Sequence, residues 1–381
     1  MAETTRLKRV LVLNAGSSSL KWSLLDADAE STLDEGSTTW EGAEHGRHAS
    51  EVAAALRALR NIDAIGHRVV HGGSQFRQAV LVNDAVRREI DALSELAPLH
   101  NPAALAGIDA AAKAFPGAPQ VAAFDTAFHA TLPEAAAVYP IPWEWTERWG
   151  LRRFGFHGLS VQYAIRRASE LLGCRPARLI VAHLGSGCSV TAVAEGRSVE
   201  TSMGFTPLEG VMMASRSGSV DPGLMLHLLT HRGVQADDLD AGLNEQAGLR
   251  GVSGVSADLR KVEAAADAGS ERASLAIGIF VHRLVMTIGG MAAALGGLDA
   301  LVFTGGIGEH SARTRAAVCE RLGHLGIVLD SAANDGKADE GDIAAAEGSA
   351  RVLVVAARED LSVLTEVKRV LGASPGVQTG R

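Results

Sequence analysis

The sequence predicts an α/β fold assembled from two duplicated halves, and three observations carry that expectation. Short β-branched runs alternate with segments of helical period along the 381-residue chain. The stretch VLVLNAGSSSLKWSLLD, residues 10–26, has a counterpart in LIVAHLGSGCSVTAVAEG, residues 179–196; each is an apolar strand, a Gly/Ser turn and a second apolar strand. The chain also holds 42 glycines and only 4% aromatic residues, a balance that favours close backbone approaches.

Taken in order, strands are expected at residues 8–14, 20–26, 64–71, 119–124, 178–184, 188–195, 299–304 and 351–356. Val52, Leu56 and Leu59 share one helical face. Val86, Ile90, Leu93 and Ala97 share another, after a cap at Asn83 or Asp84. Ser160 is expected to cap a helix that buries Ala164, Ile165, Ala168 and Leu172 and ends at Gly173. Ser311 is expected to open a helix over residues 312–322. The segment IGIFVHRLVMTIGGMAAALGGL is long and apolar but carries His282 and Arg283, so it reads as a buried helix and not a membrane span. The polar stretch SAANDGKADEGDIAAAEGSA, residues 331–350, reads as a surface excursion.

The length exceeds one ordinary core and predicts two domains, residues 1–150 and 151–381. The boundary is placed in YPIPWEWTERWGLRRFGFHG, whose prolines and tryptophans read as a packed crossing. A net charge of -8 argues against nucleic acid as a partner and against a basic membrane anchor. The opening MAETTRLKRV lacks an apolar signal core, and Cys174, Cys188 and Cys319 fit neither a disulfide framework nor a zinc site. A cytoplasmic protein is expected.

Three groups of residues carry candidate chemistry. The first is glycine-rich. In the turn after Leu13, Gly16 admits close backbone approach, the serines supply donors and Lys21 supplies a point charge, all suited to phosphate oxygens; the alternative is an ordinary hairpin with a solvated lysine. Gly185 and Gly187 flank Ser186 in a second such turn. In LVFTGGIGEHSARTRAAV a strand runs through Gly305, Gly306 and Gly308 into a helix, an anion or nucleotide contact if it is not merely packing. Neither a P-loop nor a G-x-G-x-x-G pattern occurs in these turns. The second group is cationic: Arg68 in the apolar run IGHRVVHGG, His157 in FGFHG and Arg216 in a polar glycine loop. Each alone fits a structural ion pair or a satisfied core histidine; together they fit a site that neutralises a transferring phosphoryl group. The third is acidic. Asp125 follows an apolar strand, and Glu359 and Asp360 follow another; they either cap helices or ligate Mg²⁺.

The segments LVLNAGSSSLKWSLL, IGHRVVHGG, APLHNPAAL, FDTAFHATLP, RRFGFHGLS, HLGSGCS, TSMGFTPLEGVMM, SGVSADLR and TGGIGEHS run in one order across nearly the whole chain. In them the sequence resembles the acetate and propionate kinase family, within the actin-like ATPase and sugar kinase superfamily. The resemblance implies two duplicated actin-like, ribonuclease H-like domains with a central nucleotide cleft, and a last helix that packs back on the first domain. It implies reversible, Mg²⁺-dependent phosphoryl transfer from ATP to acetate, giving acetyl phosphate and ADP, with Mn²⁺ as a possible substitute metal and a homodimeric assembly. Propionate as acceptor, another phosphoryl donor and a non-catalytic nucleotide-binding regulator are the alternatives. By matching position, Asp125, His157 and Arg216 would be catalytic. Arg68 would hold the carboxylate, with Val70, Leu99, Phe156 and Pro207 lining the acid's apolar end. Asn14 and Glu359 would support the metal. Nucleotide contacts would fall at Lys21, at His183, Leu184, Gly185, Ser186 and Gly187, at Asp258, Leu259 and Arg260, and at Gly306, Ile307, Gly308, Glu309 and His310. The chain departs from the family's usual motifs at Ser186, Ser219, His310 and in the AAREDL segment around Arg358 and Asp360.

Overall fold

The structure is a computed structural model that describes residues 7–16, 19–39, 56, 59–98, 100–336 and 340–372. The chain divides into two compact units, Met1–Phe128 with Arg358–Arg381, and His129–Ala357. The boundary expected near residue 150 falls inside the second unit. There His129 meets Ser198, Tyr139 meets Glu209, and Arg153 reaches the carbonyls of Thr201, Ser202 and Met203.

In the first unit, strands β1 (Arg9–Ala15), β2 (Ser19–Asp26), β3 (Ser31–Thr39), β4 (Ala64–Val69), β5 (Val80–Leu81) and β6 (Gln120–Phe124) form one sheet, ordered β3-β2-β1-β4-β6-β5. β1, β4 and β6 are parallel, and β2, β3 and β5 are antiparallel to their neighbours. The apolar run of β1 is buried because both faces of the sheet are covered. On one face Leu11, Leu13, Leu20, Leu24 and Ile65 pack with Ala103, Ala110 and Ala111 of the helix Asn101–Ala114. The helix Glu359–Gly372 packs on β4 and buries Leu361, Val363, Leu364 and Val367. A third helix, Asp84–Ala92, starts at Asn83, whose side chain accepts from the backbone N–H groups of Ala85 and Val86. Of the two expected caps, Asn83 is the one used. Val52 lies outside the described residues, while Leu56 and Leu59 are buried in this core.

The second unit repeats the pattern. Strands β7 (Arg178–Leu184), β8 (Cys188–Ala194), β9 (Arg197–Thr201), β10 (Ala300–Thr304), β11 (Gly341–Asp342) and β12 (Arg351–Val354) are ordered β9-β8-β7-β10-β12-β11. Strand for strand this is the order and direction of the first sheet, down to a register shift in the second–third strand pair of each. The repeat read from residues 10–26 and 179–196 is therefore the visible part of a duplication of a whole sheet.

The helix Glu271–Leu295 is, among the described residues, the one long and apolar enough to cross a membrane, and it buries Phe280, Val281, Leu284, Ile288 and Met291 in the second unit. Three other expectations need adjustment. The helix Gly158–Leu172 is capped at His157 and not at Ser160, whose hydroxyl is engaged elsewhere. The helix that Ser311 opens is shorter than expected, Ala312–Glu320. The described part of the stretch, residues 331–336 and 340–350, lies mostly at the surface but is structured: it forms the helix Ser331–Asp335 and the edge strand β11, with Asn334 and Ile343 buried. Its Asn334 satisfies the buried guanidinium of Arg315, which explains why so polar a segment packs.

Candidate active site

In the first unit the sheet brings Asn14, Arg68 and Asp125 together at the carboxyl ends of three adjacent parallel strands, where open α/β sheets carry their ligand sites. Arg68 donates from Nε to Asp125 Oδ1 at 3.0 Å and from Nη2 to Asp125 Oδ2 at 2.5 Å. Its Nη1 donates to Asn14 Oδ1 at 3.0 Å, and Glu359 Oε2 stands 3.2 Å from Nε. Asn14 Nδ2 reaches the same Glu359 oxygen at 3.5 Å. Glu359 arrives on the first turn of the helix Glu359–Gly372. Lys21 is exposed on β2, paired in register with Asn14, so both side chains leave the same face.

Burial pushes the Asp125 carboxyl above its ordinary pKa; Arg68 opposes that shift and the Glu359 carboxylate adds to it. For Arg68 burial works against the charge, but Asp125 and Glu359 outweigh it and its pKa is raised. Five N–H donors of a guanidinium meet three hydrogen bonds here, which leaves one N–H on each Nη for a further acceptor. The acidic and amide oxygens of Asp125, Glu359 and Asn14 form an all-oxygen donor set. Among the described residues no cluster of three or more His, Cys, Asp or Glu side chains could hold a metal alone. A partial oxygen set that leaves room for water and phosphate oxygens fits Mg²⁺.

In the second unit His157 sits at φ 58°, in the left-handed region, as the N-cap of its helix. Its ring lies against that of His183, centroids 4.2 Å apart, and its Nδ1 is 3.0 Å from Ser189 Oγ. Gly187 closes a tight turn in which Gly185 N–H donates to Gly187 O at 3.0 Å. A methyl group built on Gly187 would stand 3.4 Å from His157 Nε2 and 3.6 Å from Arg216 Nη1. The imidazole edge, the guanidinium and a bare stretch of backbone thus converge on one point. Arg216 donates to Pro207 O at 3.4 Å, and no carboxylate pairs with it among the described residues. Burial lowers its pKa from the ordinary arginine value, as expected for a guanidinium short of anions.

The remaining candidates divide. The turn His183–Gly187 and the helix Gly305–His310 are brought together, because they follow the adjacent parallel strands β7 and β10. Gly305, at φ +75°, stands so near the Leu184 carbonyl that a side chain would collide with it. Leu184 and Leu259 are buried, so only their backbone is offered to a ligand. Asp258 caps the helix Leu259–Asp267 and pairs with the exposed Arg260 at 2.7 Å; among the described residues no hydrogen bond joins either to the other nucleotide candidates. Val70 and Phe156 are buried and Pro207 is half-buried. Leu99, with Ser17 and Ser18 of the first turn, lies outside the described residues.

Sequence reasoning missed the residues that hold these groups in place. Ser189 and Ser160 contact the two histidine rings, and His129 bridges Ser198 and the Phe156 carbonyl. Arg153, Glu209 and Tyr139 clamp the irregular segment that carries Pro207 and Arg216: Arg153 Nη2 donates to Glu209 Oε1 at 2.9 Å, and Tyr139 donates to the other Glu209 oxygen while accepting from Phe205 N–H. Only the cluster of arginine, glutamate and tyrosine around FGFHG and TPLEG could have hinted at the clamp.

Two copies of one strand–turn–strand sheet, each with a glycine turn at the carboxyl ends of its parallel strands, define an actin-like ATPase fold. The acetokinase family model matches residues 47–365. Acetate kinase of Nostoc punctiforme is 51% identical over 315 residues, 82% of this chain and 78% of that protein. Among solved structures, Porphyromonas gingivalis acetate kinase matches with a TM-score of 0.88 at 38% identity, covering 96% of this chain and all of that one. A propionate kinase from Francisella tularensis matches at 0.86, also at 38% identity, covering 94% and 99%. The chain belongs to the acetokinase family.

Proposed function

We propose that this chain is a short-chain carboxylate kinase that transfers the γ-phosphoryl group of ATP to acetate, reversibly and with Mg²⁺, giving acetyl phosphate and ADP. The observation that carries the reading is Arg216, a guanidinium without a carboxylate that converges with His157 on the space above Gly187. A regulator that only binds nucleotide has no use for such a pair.

The carboxylate is already ionised at neutral pH and needs no base. One of its oxygens forms the new bond to phosphorus as the bond to the ADP oxygen breaks. The obstacle is the approach of two anions. Arg68, held rigid by Asp125, Glu359 and Asn14, offers its two remaining N–H donors to acetate. Arg216 and His157 offset charge on the transferring oxygens. Lys21 and the two glycine turns take the nucleotide phosphates, with Asp258–Arg260 at the nucleoside. Asn14 and Glu359, with Asp125 behind them, would hold Mg²⁺, which when bound neutralises phosphate charge. Asp125 does not act as a base, because both its oxygens are engaged by Arg68.

By family resemblance Val70, Leu99, Phe156 and Pro207 are the residues assigned to the acid's apolar end. One methylene changes affinity at an apolar site by only about 1–3 kcal/mol, so propionate is the second acceptor, and the likeness to a propionate kinase favours including it. The helix Pro222–His231 buries no residue and exposes Leu224, Leu226 and Leu229, which supports a homodimer. Three free cysteines suit a reducing compartment, and we assign the enzyme to the cytoplasm.

The test is acyl phosphate formation trapped as the hydroxamate, with ATP and Mg²⁺ and with acetate, propionate and butyrate in parallel. Acetate should turn over fastest, and Arg216→Ala should lose on the order of a thousandfold in kcat. Asp125→Asn should raise the Mg²⁺ concentration needed for half-maximal rate. No product with any acid, in a protein that binds ATP, would sink the reading.

A further inference from the structure

Among the described residues, the second unit shows three serine–histidine contacts of one kind. Ser198 Oγ lies 2.9 Å from His129 Nδ1, Ser160 Oγ 2.8 Å from His183 Nδ1, and Ser189 Oγ 3.0 Å from His157 Nδ1. In every case the hydroxyl meets the same ring nitrogen. The direction is fixed for His129. Its Nε2 is 2.9 Å from the carbonyl oxygen of Phe156, which can only accept, so the proton is on Nε2. Burial holds this ring neutral, with a pKa near 4, so its Nδ1 carries a lone pair and Ser198 donates to it.

Ser189 leads to the same arrangement by another route. Its side chain is fully buried, and among the described residues its hydroxyl has no acceptor other than His157 Nδ1. A proton on Nδ1 would strand that hydroxyl hydrogen in the interior, an arrangement folded proteins avoid. Donation by Ser189 puts the ring proton on Nε2, the edge that lies over Gly187 beside Arg216. Ser160 is likewise buried, with its hydroxyl against His183 Nδ1.

We propose that Ser189 is a positioning residue that holds neutral His157 in its Nε2–H tautomer, so that the imidazole offers a hydrogen-bond donor to the transferring phosphoryl oxygens without first binding a proton. The tautomer stands on geometry alone; its catalytic consequence rests on the phosphoryl-transfer reading above.

The full chain with ¹⁵N-labelled histidine, at a pH where the rings are neutral, reports the tautomer through the ring-nitrogen shifts, with His157→Gln used to assign the His157 signals. The expected result is a pyrrole-type Nε2 and a pyridine-type Nδ1 in the wild type, and a shift toward mixed tautomers in Ser189→Ala. In hydroxamate assays Ser189→Ala should lose about ten- to a hundredfold in kcat, less than the loss of a donor outright. KM for acetate and ATP should stay within about threefold, and Ser189→Thr, which keeps the hydroxyl, should recover most of the rate. A wild-type His157 protonated on Nδ1 would overturn the proposal, as would a Ser189→Ala protein with unchanged spectrum and kcat. If Ser189→Ala does not fold, the wild-type spectrum decides. An Nε2–H spectrum from a wild type that makes no acyl phosphate would leave the tautomer standing and remove the kinase reading.

Discussion

Two arginines of equal charge stand in opposite circumstances. Arg68 is encircled by Asp125, Glu359 and Asn14, while Arg216 hydrogen-bonds a carbonyl oxygen and pairs with no carboxylate among the described residues. The first is a preorganised arm; the second is a charge that lacks its counterion until an anion arrives. Gly187 keeps the space beside the second open. Gly187→Ala puts a methyl at ordinary contact distance from His157 and Arg216, so the fold tolerates it, but the methyl occupies the point on which they converge. The variant should keep its stability within about 1 kcal/mol yet lose about a hundredfold in kcat; thermal unfolding and the hydroxamate assay together check this, and full activity would place the phosphoryl group elsewhere. At this scale the charged residues were legible, because an arginine in an apolar run or a histidine among glycines needs a reason. The serines were not. Ser189 meets His157 through strand pairing and loop geometry, including its register opposite His183, and nothing in a buried serine's own neighbourhood announces its partner.

Among the elements, the helix Glu359–Gly372 has two tasks, covering β4 and delivering Glu359. It lies so close to the sheet that a side chain at Gly66 would collide with a methyl of Val363 and stand 2.9 Å from a methyl of Val367. Gly66→Ala should therefore destabilise the protein by about 1–3 kcal/mol through overpacking, and Val363→Ala in the same chain should restore part of it. Denaturant unfolding of the two variants measures this, and equal stability of Gly66→Ala and wild type would refute the close contact. The eight expected strands are all present, since each is an apolar or β-branched run buried in its sheet. Four strands were not expected, and their residues carry a weaker signal: β3, STLDEGSTT, is mostly exposed, β9, RSVET, is short and half-polar, and β5 and β11 are two residues long. Edge strands take their structure from the neighbour they pair with more than from their own sequence.

Over the whole molecule, duplication was legible from one hairpin in each half because only there do both copies keep the same apolar–glycine–apolar rhythm; the equivalence of the other strands is a matter of topology and not of residues. Each unit also contains a fully buried neutral histidine, His67 in the first and His129 in the second, and burial lowers the pKa of each to about 4. An unfolded histidine titrates near 6.5. Between these values the unfolded chain binds the proton and the folded chain does not, so stability falls as pH drops from about 6.5 to 4, by up to about 3 kcal/mol per histidine. Asp125, raised by burial, works in the opposite sense, gaining stability as it is protonated, and so offsets His67 within the first unit. The second unit has no such offset from Asp125, and acid should act on it first. Calorimetry at pH 7, 5.5 and 4.5 should show a Tm that declines with acidity, and His129→Gln, less stable at pH 7, should show a shallower decline. A parallel decline in wild type and variant would mean that His129 is not the group that takes up the proton, and that its bond to the Phe156 carbonyl survives in acid.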